Sequence, residues 1–74
     1  MQSDDAPELT PRQLECLQWA ALGKSGWETA RIINRSESAV NEHRWKAARR
    51  LNCINITHAC VKAALLGLIS VEGI

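Results

Sequence analysis

The sequence predicts an all-α domain of four helices, and three observations carry that prediction. Capping residues recur at Thr10, Ser25, Ser36 and Asn55 or Thr57; stop residues follow at Gly23, Asn34 and Asn52; between them apolar side chains return at helical spacing. With 74 residues, 46% apolar content and no Phe or Tyr, the chain supports one small domain with a thin core. Trp19 and Trp27 are expected in or near that core and Trp45 outside it. Residues 1–8, with Asp4, Asp5 and Pro7, read as a disordered acidic lead-in, and residues 9–74 as the folded domain.

The first helix opens at Thr10, where Pro11 takes the first helical position and Gln13 the third, the pattern of a reciprocal cap. Leu14, Leu17, Ala20 and Ala21 continue it, and Gly23 ends it. Ser25 and Glu28 form a second capping box, so the next helix begins at Gly26, with free amides able to face a phosphate. Trp27, Ala30 and Ile33 recur along it as far as Asn34, which tolerates the left-handed conformation. Ser36 caps the third helix after a break of two or three residues, and so short a link sets two helices at a steep angle. Ala30 is small enough for a close crossing and Val40 fills the angle, which makes a helix-turn-helix. A bare helical hairpin would space its residues similarly.

Charge separates these readings. The whole chain is nearly neutral, with nine Lys and Arg against eight Asp and Glu. Residues 31–50, however, hold Arg31, Arg35, Arg44, Lys46, Arg49 and Arg50 against Glu37 and Glu42, a net of plus four, while the remainder is net negative. Such polarity is the electrostatic footprint of a phosphate-binding face.

On a helical wheel Val40, Ala47 and Leu51 cluster toward the core, with Ala48 at the margin and His43 on the other flank. Ser38, Glu42, Trp45 and Arg49 lie opposite, with Asn41 and Lys46 on the shoulders. Asn41 can pair with adenine or another base edge, Glu42 can accept from a cytosine amino group, and Lys46 and Arg49 can hold phosphates. Trp45 suits sugars, a thymine methyl or a protein interface. Arg44 falls about 40° from Val40, inside the apolar stripe, and is expected to lay its stem along the core and carry its head out to water or a partner.

Asn52 closes the third helix, and Asn55 or Thr57 opens a last one running to Leu66 or Gly67. Ala59, Val61, Ala63, Ala64, Leu65 and Leu66 make it apolar nearly all round, with His58 and Lys62 on one wet edge. It either packs wholly on the other three helices or offers a dimer seam. It is too short to span a bilayer, and no signal peptide precedes it. Cys16, Cys53 and Cys60 are odd in number at apolar positions, which points to reduced cytosolic thiols and no disulfide frame. Cys53, His58 and Cys60 lack a fourth ligand and paired spacing, so no metal is expected. No Gly-rich phosphate loop or catalytic constellation appears, so neither cofactor nor enzymatic activity is expected.

The stretch LTPRQLECLQWAALGKSGWETARIINRSESAVNEH, Leu9 to His43, and RRLNCINITHACVKAALLGLI, Arg49 to Ile69, resemble the DNA-binding domain of LuxR-type transcriptional regulators. GKSGWE and SESAVNEH are most similar to the quorum-sensing, acyl-homoserine-lactone-responsive branch. The resemblance implies a four-helix LuxR-type helix-turn-helix domain of the bacterial cytoplasm and nucleoid. Its third helix would enter the major groove of double-stranded DNA at a palindromic promoter site, and its fourth would form a homodimer. By position Asn41, Glu42 and Trp45 would meet bases, and Lys24, Ser25, Trp27, Ser36, Ser38, Lys46, Arg49 and Arg50 the DNA backbone. His58, Ala59, Lys62, Ala63 and Leu66 would form the dimer interface.

Arg35 stands where the family has an apolar residue, Arg44 where it has a core aliphatic one, and Glu42, Trp45 and Asn52 also depart from its commonest choices. Only eight residues precede the first motif, so no lactone pocket or small-molecule site is expected in this chain, which reads as a domain of a longer protein or as a stand-alone regulator. The leading expectation is a sequence-specific, dimeric DNA-binding regulator. The alternative is an interaction module of the same fold that pairs with and inhibits a full-length LuxR-type regulator.

Overall fold

A computed structural model describes residues 8–71, which form four α-helices: α1 Pro11–Ala21, α2 Gly26–Ile33, α3 Glu37–Arg50 and α4 Ile56–Leu65. Residues 1–7 of the expected acidic lead-in lie outside the described residues. Helix limits follow the capping chemistry. Thr10 Oγ1 accepts from the Gln13 amide at 3.1 Å while Gln13 Oε1 accepts from the Thr10 amide at 3.1 Å. Ser25 and Glu28 repeat this exchange at 3.0 and 2.8 Å. Ser36 caps α3 and Asn55 caps α4, each accepting an amide three residues on. Such caps contribute about 1 kcal/mol apiece.

Each helix is followed by a left-handed residue: Gly23, Asn34, Asn52 and Gly67. Two of these are asparagines, whose side chains tolerate that conformation better than most. At all four stops the next amide returns five residues to a carbonyl, Lys24 to Trp19, Arg35 to Ala30, Cys53 to Ala48 and Leu68 to Ala63, at 2.8–2.9 Å. The expected end of the last helix at Leu66 or Gly67 thus becomes its cap, one turn residue beyond Leu65.

α3 is the central element. Val40, Ala47 and Ala48 are fully buried and Leu51 nearly so. Val40 packs with Cys16, Ala30 and Ile33 in the crook of the helix-turn-helix, where Trp19 lies against them. Ala47, Ala48 and Leu51 pack with Leu17, Ala59, Ala63 and Ile69 on the side of α1 and α4. Ala48, placed at the stripe's margin by the wheel, is as fully buried as Val40 and Ala47. The chain after α4 returns to α1, where Gln18 bonds both the amide and the carbonyl of Ser70.

Three expectations are corrected. Trp27 is 57% exposed, because Thr29, Ala30 and Ile33 define the inward face of α2 and Trp27 lies about a third of a turn from it. Ala59 and Ala63 are fully buried against α1 and α3, so they belong to the core and are closed to a partner chain. Lys62 leaves the wet edge: its Nζ donates to the Leu51 carbonyl at 2.7 Å, at the negative end of α3.

All three cysteines are free. Burial raises the pKa of Cys16 and Cys60 and so favours the neutral thiols, against the opposing pull of the Arg44 charge. No helix among the described residues is long and apolar enough to cross a membrane.

The two faces of α4 are distinguishable by substitution. Ala63→Leu overpacks the core and is expected to lower stability by about 1–3 kcal/mol. Leu65→Ser, at a position 82% exposed, should change the stability of the monomer by less than about 0.5 kcal/mol in urea unfolding at low protein concentration.

Candidate nucleic-acid interface

The outer half of α3 presents Ser38, Asn41, Glu42, Trp45, Lys46 and Arg49 to solvent. Trp45 is 51% exposed, which matches its expected place outside the core. Because Val40 and Ala47 are wholly buried one turn away on the opposite side, these polar residues form a ridge fixed by the core beneath it. The helix that carries it is 14 residues long, with Glu37 in its first turn and Arg49 and Arg50 in its last, both signs complementing the helix dipole.

Within the ridge Glu42 and Lys46 pair at 3.2 Å, both more than half exposed. The pair brings together a candidate base contact and a candidate phosphate contact, and it neutralises the carboxylate that would otherwise repel phosphates. Exposed pairs of this spacing add little to stability. Arg49 is exposed near Lys46 and Arg50, which with Gln13 line one shallow basic depression between α3 and the start of α1. Arg50 is partly engaged, since its Nη2 donates to the Glu8 carbonyl at 2.7 Å.

Asn41 sits at the crossing with α2. A Cβ added to Gly26 would stand 3.0 Å from Asn41 Oδ1 and 3.5 Å from the Glu37 side chain, so the absence of a side chain at Gly26 lets the start of α2 approach this part of the ridge. Sequence reasoning credited Ala30 alone with permitting the crossing.

Lys24, Ser25 and Trp27 lie together at the start of α2, and all three are exposed. Ser25 and Ser36 use their oxygens to accept backbone amides, at 3.0 and 3.1 Å, which leaves each hydroxyl proton able to donate to an anion. The Glu28 carboxylate folds back onto the Ser25 amide, and that bond is the main cause of its lowered pKa. Arg31 lies 5.0 Å from the centroid of the Trp27 ring, so the ring supports a cation over its face. Arg31, Asn34 and Arg35 continue this polar surface along α2 and the turn, and Arg35 Nη1 donates to the Asn34 carbonyl.

Arg44 is half-buried, and its head meets acceptors of the same chain at a partly exposed site. Its Nη2 donates to the Lys24 carbonyl and to Thr29 Oγ1, both at 3.0 Å, with Ser25 O at 3.5 Å, while Nε is buried without a hydrogen-bond partner. Thr29 is fully buried and also donates to the Ser25 carbonyl at 2.9 Å. Nothing in the apolar pattern marked this polar pocket. A threonine four residues after a cap, facing a cation misplaced on the next helix, was the only signal available.

The far side of the domain is apolar. Ile54, Val61, Leu65, Leu66 and Val71 are exposed, and the groove between α1 and α4 is lined by Ala20, Ala21, Ile56, Cys60 and Ala64. Of the expected interface residues, His58 and Leu66 lie on the exposed part of α4. Among the described residues no three His, Cys, Asp or Glu side chains gather into a metal-sized cluster.

The sequence pattern of bacterial regulatory proteins of the luxR family matches residues 7–63. The chain belongs to this family. It is thus a LuxR-type DNA-binding transcriptional regulator domain, and the family's members are regulators, not enzymes. The quorum sensing-dependent transcriptional regulator RpaR of Rhodopseudomonas palustris is 51% identical over 61 residues, which cover 82% of this chain and 25% of that protein. The transcriptional activator VanR of Vibrio anguillarum is 48% identical across 84% of the chain and 26% of its own length. For LuxR of Aliivibrio fischeri the identity is 42%, across 84% and 25%. The chain therefore spans about a quarter of the length of these relatives.

Solved structures agree on the fold of this LuxR-type domain. The transcription factor GerE superposes with a TM-score of 0.82 at 23% identity, over 86% of this chain and 96% of GerE. VqmA of Vibrio cholerae gives 0.81 at 20% identity, over 97% of this chain and 34% of VqmA.

Two measurements check the geometry. Acrylamide should quench Trp27 and Trp45 readily and Trp19 poorly, as resolved by single Trp→Phe variants. Because the Glu28 pKa is lowered in the fold, its capping bond is fully present at neutral pH and is lost as pH falls through that lowered value. The difference in melting temperature between the wild type and Glu28→Gln should therefore shrink below about pH 4.

Proposed function

We propose that the ridge of α3 reads the major groove of a palindromic DNA site, with Asn41, Glu42 and Trp45 meeting base edges. Lys46, Arg49, Arg50 and Ser38 hold phosphates beside them, and Lys24, Ser25, Trp27 and Ser36 hold phosphates flanking the groove. One observation carries this reading: a helix that buries Val40, Ala47 and Ala48 on its inner side exposes, on its outer side, the amide, cations and ring suited to base and phosphate contact. The second cationic surface at the start of α2 supports it, since phosphate contacts on both sides of a reading helix fix its register.

Two-fold pairing through the exposed part of α4, around His58, Val61, Leu65 and Leu66, supplies the second half of the reader. The apolar residues left uncovered there support it, and the half-sites would then lie about one helical turn apart. The regulators of similar sequence are described as quorum sensing-dependent or as transcriptional activators. The same role in a bacterial cytoplasm, as the DNA-reading part of a signal-responsive regulator, is our reading of this chain.

Selection of bound duplexes from a random pool, followed by titration at several salt concentrations, tests the proposal. A palindromic consensus should emerge, with affinity falling steeply as salt rises. Asn41→Ala should relax preference at one position in each half-site at a cost of about 1–3 kcal/mol, and Lys46→Ala should weaken all sequences alike. Recovery of no enriched sequence from the pool would defeat the reading.

A further inference from the structure

Arg44 is the one cation of residues 31–50 whose guanidinium is turned into the domain, and its partners are informative. Two of its three acceptors are the carbonyls of Lys24 and Ser25, the residues that end the α1–α2 connection and cap α2. The third is the buried hydroxyl of Thr29, one turn into α2. A single planar group on the reading helix thus holds both the connection and the helix it leads into. Carbonyls drawn inward leave the Lys24 and Ser25 side chains exposed, at the place where the proposed function needs a phosphate grip.

We infer that Arg44 is a positioning residue for DNA binding: it fixes the Lys24–Ser25 connection relative to α3, so that the flanking phosphate grip and the base-reading ridge are presented as one rigid surface. This rests on the DNA reading proposed above. Three features support it beyond the bonds themselves. An aliphatic residue in this stripe would pack as well and would leave no buried Nε without a partner, so packing alone gives no reason for arginine here. The connection is short, running from Leu22 to Ser25, so a hold on two of its carbonyls constrains most of it. Pre-ordering a contact loop removes an entropy loss that binding would otherwise incur.

The guanidinium suits the task. Its donors are fixed in one plane and can meet a carbonyl and a hydroxyl together, which a single ammonium on a flexible stem cannot do in a fixed geometry. The hold therefore acts through geometry.

The test compares wild type, Arg44→Met, Arg44→Lys, Lys24→Ala and the two double variants on one mixed-sequence DNA duplex, with affinity measured across a salt series. Arg44→Met should keep the helical circular dichroism of the wild type, bind about three- to tenfold more weakly and show a log–log salt slope shallower by about one. Adding Lys24→Ala to Arg44→Met should then cost much less than it does in the wild type, because the grip is already lost. Arg44→Lys should bind between the two. In the DNA-free protein, exchange of the Glu28 and Thr29 amides, which bond to Ser25, should speed up in Arg44→Met while that at Ala47 and Ala48 does not.

If Arg44→Met fails to fold, the Arg44→Lys pair carries the same cycle. Affinity effects of the Arg44 and Lys24 changes that simply multiply, or an Arg44→Lys protein indistinguishable from wild type, would overturn the inference and leave the DNA reading intact. Wild type that binds no duplex would instead defeat the DNA reading, and the inference with it.

Discussion

The structure depends on how narrow the buried side of α3 is. Val40, Ala47, Ala48 and Leu51 must serve two clusters at once, one shared with α2 and one with α1 and α4. Alanine at two of these positions lets neighbouring backbones come close, and the same economy recurs at Ala30, Ala59 and Ala63. With the contact made by small side chains, the remaining surface of α3 stays clear of its neighbours. A bulkier stripe would hold the helices farther apart and would draw the shoulder positions, Asn41 and Lys46, into the gaps. The freedom of the outer residues is thus a consequence of the size of the inner ones.

Polar contacts complete what so thin a core leaves open. Gln13 and Glu28 close the caps of α1 and α2, Gln18 ties the C-terminal segment to α1, and Lys62 satisfies a carbonyl at the end of α3. Arg44 ties α3 to the start of α2 through the Lys24 carbonyl and the Thr29 hydroxyl. Each of these joins elements or ends that apolar contact alone would leave loosely related. In a chain without Phe or Tyr, bonds of this kind specify the arrangement that larger side chains would otherwise fix.

The helices were legible because their ends are written in short-range chemistry. Thr10, Ser25, Ser36, Gly23, Asn34 and Asn52 act within one turn, so each can be recognised without knowing what lies across the fold. The outer face of α3 was legible for a similar reason: its stripe is interrupted by charge at regular intervals. Trp27 was misjudged because size was taken as a sign of burial, whereas small Thr29 takes the inward place. The inner face of α4 could not be read, since a helix apolar nearly all round carries no mark of which side meets its neighbours. Ala59 and Ala63 fell on the wrong side for that reason. The Arg44 contacts depend on a crossing between segments far apart in sequence, which no local pattern encodes.

The bond from Lys62 to the Leu51 carbonyl bears on transplantation. An end of α3 finished by a side chain from the next helix, and a middle held by the connection before α2, mean that the segment is not a cassette. Moved alone into a foreign scaffold, it would lose its terminal cation and its internal brace together. Exchange of the outward side chains one at a time keeps both, so specificity is better redesigned by editing the surface of this helix in place than by grafting it elsewhere.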